Sequence, residues 1–138
     1  MTLSGWRGRV LQTARMDNEQ LLSSFVKVLV SDPERSAKFY EALGFKRTQA
    51  APPFIHLQWE KQAEVYLVTL PPVVKLEGQR GLGVLLGFRI GAVELEEVAS
   101  RARAQGAHVE GPTVQPWFTR EIIVTDPDGY RLNFIEPA

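Results

Sequence analysis

The order strand, helix, three strands occurs twice in this chain, with the second copy roughly 60 residues after the first. In the first copy, Val26, Val28 and Val30 alternate with Phe25, Lys27 and Leu29, the two-residue period of a strand with unlike faces. Asp32 suits a helix N-cap, Pro33 the first turn, and Glu34 the positive end of the helix. Ala37, Phe39, Tyr40 and Leu43 form an apolar stripe, and Gly44 closes the helix. Strands are expected from Phe45, over Phe54 to Trp59, and over Ala63 to Leu70, with a turn at Glu60–Gln62. The second copy runs Val84 to Ile90, a helix over Leu95 to Ala104 ended by Gly106, a strand from Val109, then Thr119 to Thr125 and Tyr130 to Ile135. Asp126-Pro127-Asp128-Gly129 reads as the turn of a closing hairpin. A repeat of this kind predicts two similar sheets packed side by side.

The chain has 138 residues, enough for one domain with a core of its own. We read residues 1–21 as an N-terminal arm or helix and 22–138 as a single domain, with modules at about 22–72 and 82–138. Arg7, Arg9 and Arg15 with no acid among them also fit a transit peptide, and Met16 could serve as an alternative start. Lys plus Arg equals Asp plus Glu at 16 each, so there is no global basic excess to suggest nucleic acid. No apolar run reaches the roughly 18 residues of a membrane span. Cysteine is absent, which excludes disulfides, thiolate metal sites and cysteine nucleophiles. The expected location is the cytoplasm.

The segments VSDPERSAKFYEALGF, GFRIGAVELEEVASRARAQGA and DPDGYRLNFIEP, in this order and spacing, resemble the vicinal oxygen chelate superfamily, the glyoxalase/bleomycin resistance/dioxygenase group. QPW at Gln115–Trp117, followed by Arg120-Glu121, looks most like its bleomycin resistance proteins. The resemblance implies an α+β fold of two βαβββ modules curled into a cup that holds a metal or a ligand. In the metalloenzymes of the group, a His precedes the first-helix Asp by seven positions, which here is Phe25. A second His falls at Leu85. A Glu four residues after the turn glycine becomes Asn133. The remaining ligand falls near Glu64 or Tyr66. Phe and Leu have no lone pair to offer a cation, so no metal or other cofactor is expected.

Alternation anchored on those positions turns Phe25, Lys27 and Leu29, and Leu85, Gly87 and Arg89, into the cup. Arg89 either clamps an anion or reaches solvent at a strand end. Trp117 either stacks on a flat ligand or covers a sheet edge or dimer contact. One of Arg120 and Glu121 should face the cavity. His56 and His108 fall on no ligand position and read as structural. The expected ligand-binding set is Phe25, Lys27, Tyr66, Leu85, Arg89, Trp117, Glu121 and Asn133, with no catalytic residue. The expected function is metal-independent binding of a small aromatic or anionic compound, an antibiotic among the candidates, by a homodimer. The alternative is a metal-dependent lyase, isomerase or dioxygenase with an atypical site. Bleomycin is a cation, and Lys27 and Arg89 argue against it as the ligand.

Overall fold

The computed structural model describes residues 22–138 except 52, 77 and 79. The expected N-terminal arm lies outside the described residues. The elements are β1 (Val26–Val30), α1 (Pro33–Leu43), β2 (Lys46–Ala51), β3 (Phe54–Trp59), β4 (Ala63–Thr69), β5 (Leu86–Arg89), α2 (Leu95–Ala104), β6 (Val109–Val114), β7 (Thr119–Thr125) and β8 (Arg131–Pro137). They form two four-stranded mixed sheets, β1-β4-β3-β2 and β5-β8-β7-β6. In each sheet the strand before the helix runs parallel to the last strand of its half, and the other pairs are antiparallel. This is the expected pair of βαβββ units.

Local chemistry sets the helix ends. The Asp32 side chain accepts from the Arg35 backbone N–H at 3.1 Å, and Pro33 fills the first turn of α1. Helix α2 has no such local cap. The Glu136 side chain, arriving from β8, accepts from the Leu95 backbone N–H at 3.2 Å instead. Strand β5 is shorter than the expected Val84 to Ile90. Its pairing with β8 runs from Leu86, opposite Leu132, to Arg89, opposite Ile135, so Val84 and Leu85 precede the strand and Ile90 follows it.

Alternation divides each sheet into a covered and an open face. Val28, Val30, Ile55, Leu57, Val65 and Leu67 are buried on the α1 side, against Ala37, Tyr40 and Leu43. Ile122, Val124, Leu132 and Phe134 are buried on the α2 side, against Leu95, Val98, Ala99 and Ala102. An aromatic chain fuses the halves into one core. The Phe45 ring lies 5.2 Å from Trp59 and 5.4 Å from Phe88, and Phe88 stacks on Phe134 at 5.4 Å.

A second tie is polar. Asp128, in the β7–β8 turn, accepts from the Ser31 hydroxyl at 2.8 Å and from Arg80 at 3.1 Å. Next to it, the Tyr40 hydroxyl donates to buried Asp126 at 2.7 Å. The closing turn of the second half is thus bolted onto the first helix.

Gly44 shows why a glycine ends α1. Its φ is 141°, and a Cβ there would stand 2.7 Å from the Trp59 ring. The ring belongs to the aromatic chain and cannot withdraw freely. Gly44→Ala is therefore expected to cost about 2–3 kcal/mol in urea unfolding, through overpacking plus an unfavourable backbone. An alanine variant as stable as the parent would show that Trp59 does not seat on this glycine.

Candidate functional site

The side chains that alternation turns away from the helices form two open faces. On the first sheet, Lys27 pairs in register with Tyr66, and Tyr66 with His56. The Phe25 ring meets Tyr66 edge-on at 5.3 Å. The Lys27 ammonium lies 5.8 Å from both ring centroids, near the outer reach of a cation–π contact. Phe54 tilts against Tyr66 at 5.7 Å. Phe25, Lys27 and Tyr66, expected to share the cup, thus form one cluster.

His56, read from the sequence as structural, is half-buried and sits on this open face. Its Nε2 lies 2.9 Å from the Glu64 carboxylate, and its Nδ1 contacts the Thr48 hydroxyl. The ring packs on Tyr66 with centroids 4.5 Å apart. Thr48 had no sequence signal. It reaches the face because the β2–β3 register shifts between Arg47 and Gln49.

On the second sheet, Gly87 pairs with Asn133 and Arg89 with Ile135. Glu121 pairs with Ile135 from the other side and shares this face. Arg120 points the opposite way, where it bonds Glu136 at 2.6 Å and also contacts Glu96. Of the pair 120–121, the glutamate faces the open side. Its carboxylate accepts from Thr119 at 2.6 Å, from the Trp117 indole at 3.0 Å and from Asn133 at 3.3 Å. These donors, Thr119 first, hold it below the usual carboxylate range. Trp117, Glu121 and Asn133 therefore form a second cluster. Leu85 stands just before β5 and Arg89 ends it, beside a cleft of about 80 Å³ also lined by Trp59 and Phe88.

Lys27 and Arg89 are both exposed, and neither has an ion-pair partner among the described residues. The two clusters lie on different sheets. No hydrogen bond, ion pair or ring contact among the described residues joins them.

Two βαβββ halves, each with one sheet face on a helix and the other bare, define a paired-module α+β protein. The chain belongs to the Glyoxalase/Bleomycin resistance protein/Dioxygenase superfamily, whose family model matches residues 22–134. Among solved structures it is similar to a hypothetical protein of S. aureus, with 26% identity, a TM-score of 0.65, and coverage of 85% of this chain and 98% of that one. TnmS3, an antibiotic binding protein from Streptomyces sp. CB03234, shares 25% identity over 86% of this chain and 98% of its own, with a TM-score of 0.64. A bleomycin-binding protein complexed with bleomycin matches at 20% identity and a TM-score of 0.65, covering 86% of this chain and 100% of that one, which supports the fold alone. No curated protein matches the sequence.

Of Glu64 and Tyr66, between which the resemblance left the fourth donor position open, strand register favours Tyr66. Gly87 is opposite Asn133 in the second half, and its counterpart Lys27 is opposite Tyr66 in the first. On that register the positions implied by the resemblance are Phe25, Tyr66, Leu85 and Asn133. Two hydrocarbon side chains, a phenol and an amide do not fit a divalent cation, which takes imidazole and carboxylate donors. Among the described residues, no three His, Asp or Glu side chains are gathered to hold a metal elsewhere. Nor is any described helix long and apolar enough to cross a membrane.

Proposed function

We propose that this protein is a metal-independent binder of a small aromatic, anionic compound, with its cups completed across a homodimer. What carries the reading is that the positions the resemblance equates with the superfamily's metal ligands hold Phe25, Tyr66, Leu85 and Asn133. An apolar centre with a few placed polar groups is the ordinary design of a small-molecule site. Lys27 and Arg89 supply charge that no carboxylate among the described residues neutralises, whereas the Glu121 carboxylate is already occupied by three donors. The free electrostatic partner of these faces is therefore negative. Phe25 and Tyr66 on one sheet and Trp117 on the other offer rings for stacking.

The dimer reading rests on what one chain leaves uncovered. Phe25 is 55% exposed, Leu85 47% and Trp117 63%. Apolar side chains gathered on an open face mark an interaction surface. Two copies that set the first open face of one against the second open face of the other would enclose both clusters in a single cup. Antibiotic binding by TnmS3 is compatible with this arrangement.

The test is calorimetric titration with paired aromatic carboxylates and aromatic amines of similar shape. The carboxylates should bind more tightly. Lys27→Glu and Arg89→Glu should each weaken carboxylate binding by about 10- to 100-fold, the worth of a charge-assisted contact. A preference for the amines, or tighter carboxylate binding after charge reversal, would refute the anionic assignment.

A further inference from the structure

The first open face carries a relay of three side chains on neighbouring strands. Glu64 on β4 lies 2.9 Å from His56 Nε2, and His56 Nδ1 contacts the hydroxyl of Thr48 on β2. In the tautomer that places the ring hydrogen on Nε2, toward the Glu64 carboxylate, Nδ1 presents its lone pair to Thr48. The Thr48 hydroxyl, which also lies 3.4 Å from the His56 carbonyl oxygen, can then donate to that lone pair. A hydroxyl bonded to a base, with the base oriented by a third group, is the arrangement that activates a side-chain nucleophile.

Exposure is graded along the relay in the useful direction. The His56 side chain is 13% exposed and Glu64 26%, while Thr48 is an exposed residue. The base is shielded from water and the hydroxyl can be approached. The irregular register between Arg47 and Gln49 turns Thr48 toward His56, and Tyr66 supports the imidazole from beneath.

We propose that Thr48 accepts acyl groups from activated esters, with His56 as its base and Glu64 as a positioning residue. The Thr48 O–H bond breaks and its proton moves to His56 Nδ1. The freed oxygen forms a bond to the acyl carbon as the ester C–O bond breaks, and the departing phenolate takes the proton. The product is O-acyl-threonine. Water completes the cycle by adding to the acyl carbon, returning a carboxylic acid and the free hydroxyl. The inference adds a reaction to the face proposed above as a binding surface, and the relay itself needs residues of one chain only.

The experiment treats the full chain with 4-nitrophenyl acetate, follows nitrophenolate release, and locates the acetyl group by peptide mass mapping. The acetyl group is expected on Thr48. Thr48→Val should abolish that label, and Thr48→Ser should keep it. His56→Gln should slow acylation by roughly 100-fold, the typical share of a general base. Glu64→Gln should lower the maximal rate without moving the ester concentration that gives half of it, and Glu64→Asp should recover part of the loss. Melting curves establish that each variant folds; should Thr48→Val fail, the wild-type map and Thr48→Ser still decide. Acetyl found on lysines alone, or an unchanged rate in His56→Gln, overturns the proposal. Titration of wild type with an aromatic carboxylate reports separately on binding, so the two readings can fail independently.

Discussion

Replacing Asp126 by alanine is expected to cost about 3–5 kcal/mol, a large part of the roughly 5–15 kcal/mol that holds a domain of this size together. Asp126 is 4% exposed. One of its oxygens accepts from the Tyr40 hydroxyl at 2.7 Å. The other accepts from the backbone amides of Asp128 at 2.9 Å and Tyr130 at 2.8 Å. Alanine leaves the fully buried Tyr40 hydroxyl without an acceptor, at about 1–3 kcal/mol, and releases the turn amides as well. The same turn presents Asp128 to Ser31 and Arg80, so its loosening also weakens the bolt between the halves. Tyr40→Phe should cost less, about 1–2 kcal/mol, because the turn keeps its own bonds. Urea unfolding at neutral pH measures both. An Asp126→Ala variant within about 1 kcal/mol of the parent would mean that the turn does not hold the halves, since exposed substitutions fall near ±0.5 kcal/mol.

The same carboxyl makes a pH prediction with a definite sign. Burial raises Asp126 above the ordinary carboxylate range, against the pull of Tyr40 and the turn amides. A group raised in the folded state contributes stability that is fully present below its unfolded value. That contribution is lost as pH rises through the folded value. Asp126→Asn keeps the shape without titrating. Wild-type stability relative to Asp126→Asn should therefore decline as pH climbs out of the ordinary carboxylate range. Glu121 acts in the opposite sense: lowered in the folded state, its contribution is lost as pH falls through that lowered value.

How much of this could be read in the residues depended on range. The face assignments were legible because a strand's period is two: one anchored residue orients its neighbours, so Phe25 and Lys27 were placed away from the helix before any pairing was known. Cap chemistry at Asp32 was legible because it acts over three residues. What stayed hidden needed a partner far along the chain. The cap of α2 is a β8 carboxylate, Glu136, with no local trace near Glu94. The DPDG turn announced itself as a turn, but its hold on Tyr40 and Ser31 depends on how the halves dock. Thr48 reaches His56 through a register irregularity, which no alternation pattern encodes. The ambiguity between Glu64 and Tyr66 was likewise one of register, since counting along a strand cannot say which residue of the neighbouring strand lies opposite.

Grafting histidine at 25 and 85 and glutamate at 66 and 133 should turn this protein into a metal binder. Wild type should show a thermal shift below about 1 °C with zinc or nickel. The fourfold variant, with metal at 100 times its Kd, gains about 2.7 kcal/mol, or on the order of 10 °C for a chain of this length. The design follows from the registers: Lys27 with Tyr66 and Gly87 with Asn133 place each histidine site near its glutamate. Dividing the graft tests the assembly. One variant carries Phe25→His and Tyr66→Glu, and the other carries Leu85→His and Asn133→Glu. If a cup draws one half from each chain, neither variant alone holds all four donors in one cup. A mixture re-equilibrated through dissociation forms heterodimers with one complete site, and strong metal binding appears only on mixing. If each chain closes its own cup, mixing changes nothing. A wild-type chain that binds metal as well as the graft does would remove the ground for metal independence, because hydrocarbon at Phe25 and Leu85 would then be no barrier. A fourfold graft that folds and stays blind to metal would show that these four positions do not converge, in one chain or across two.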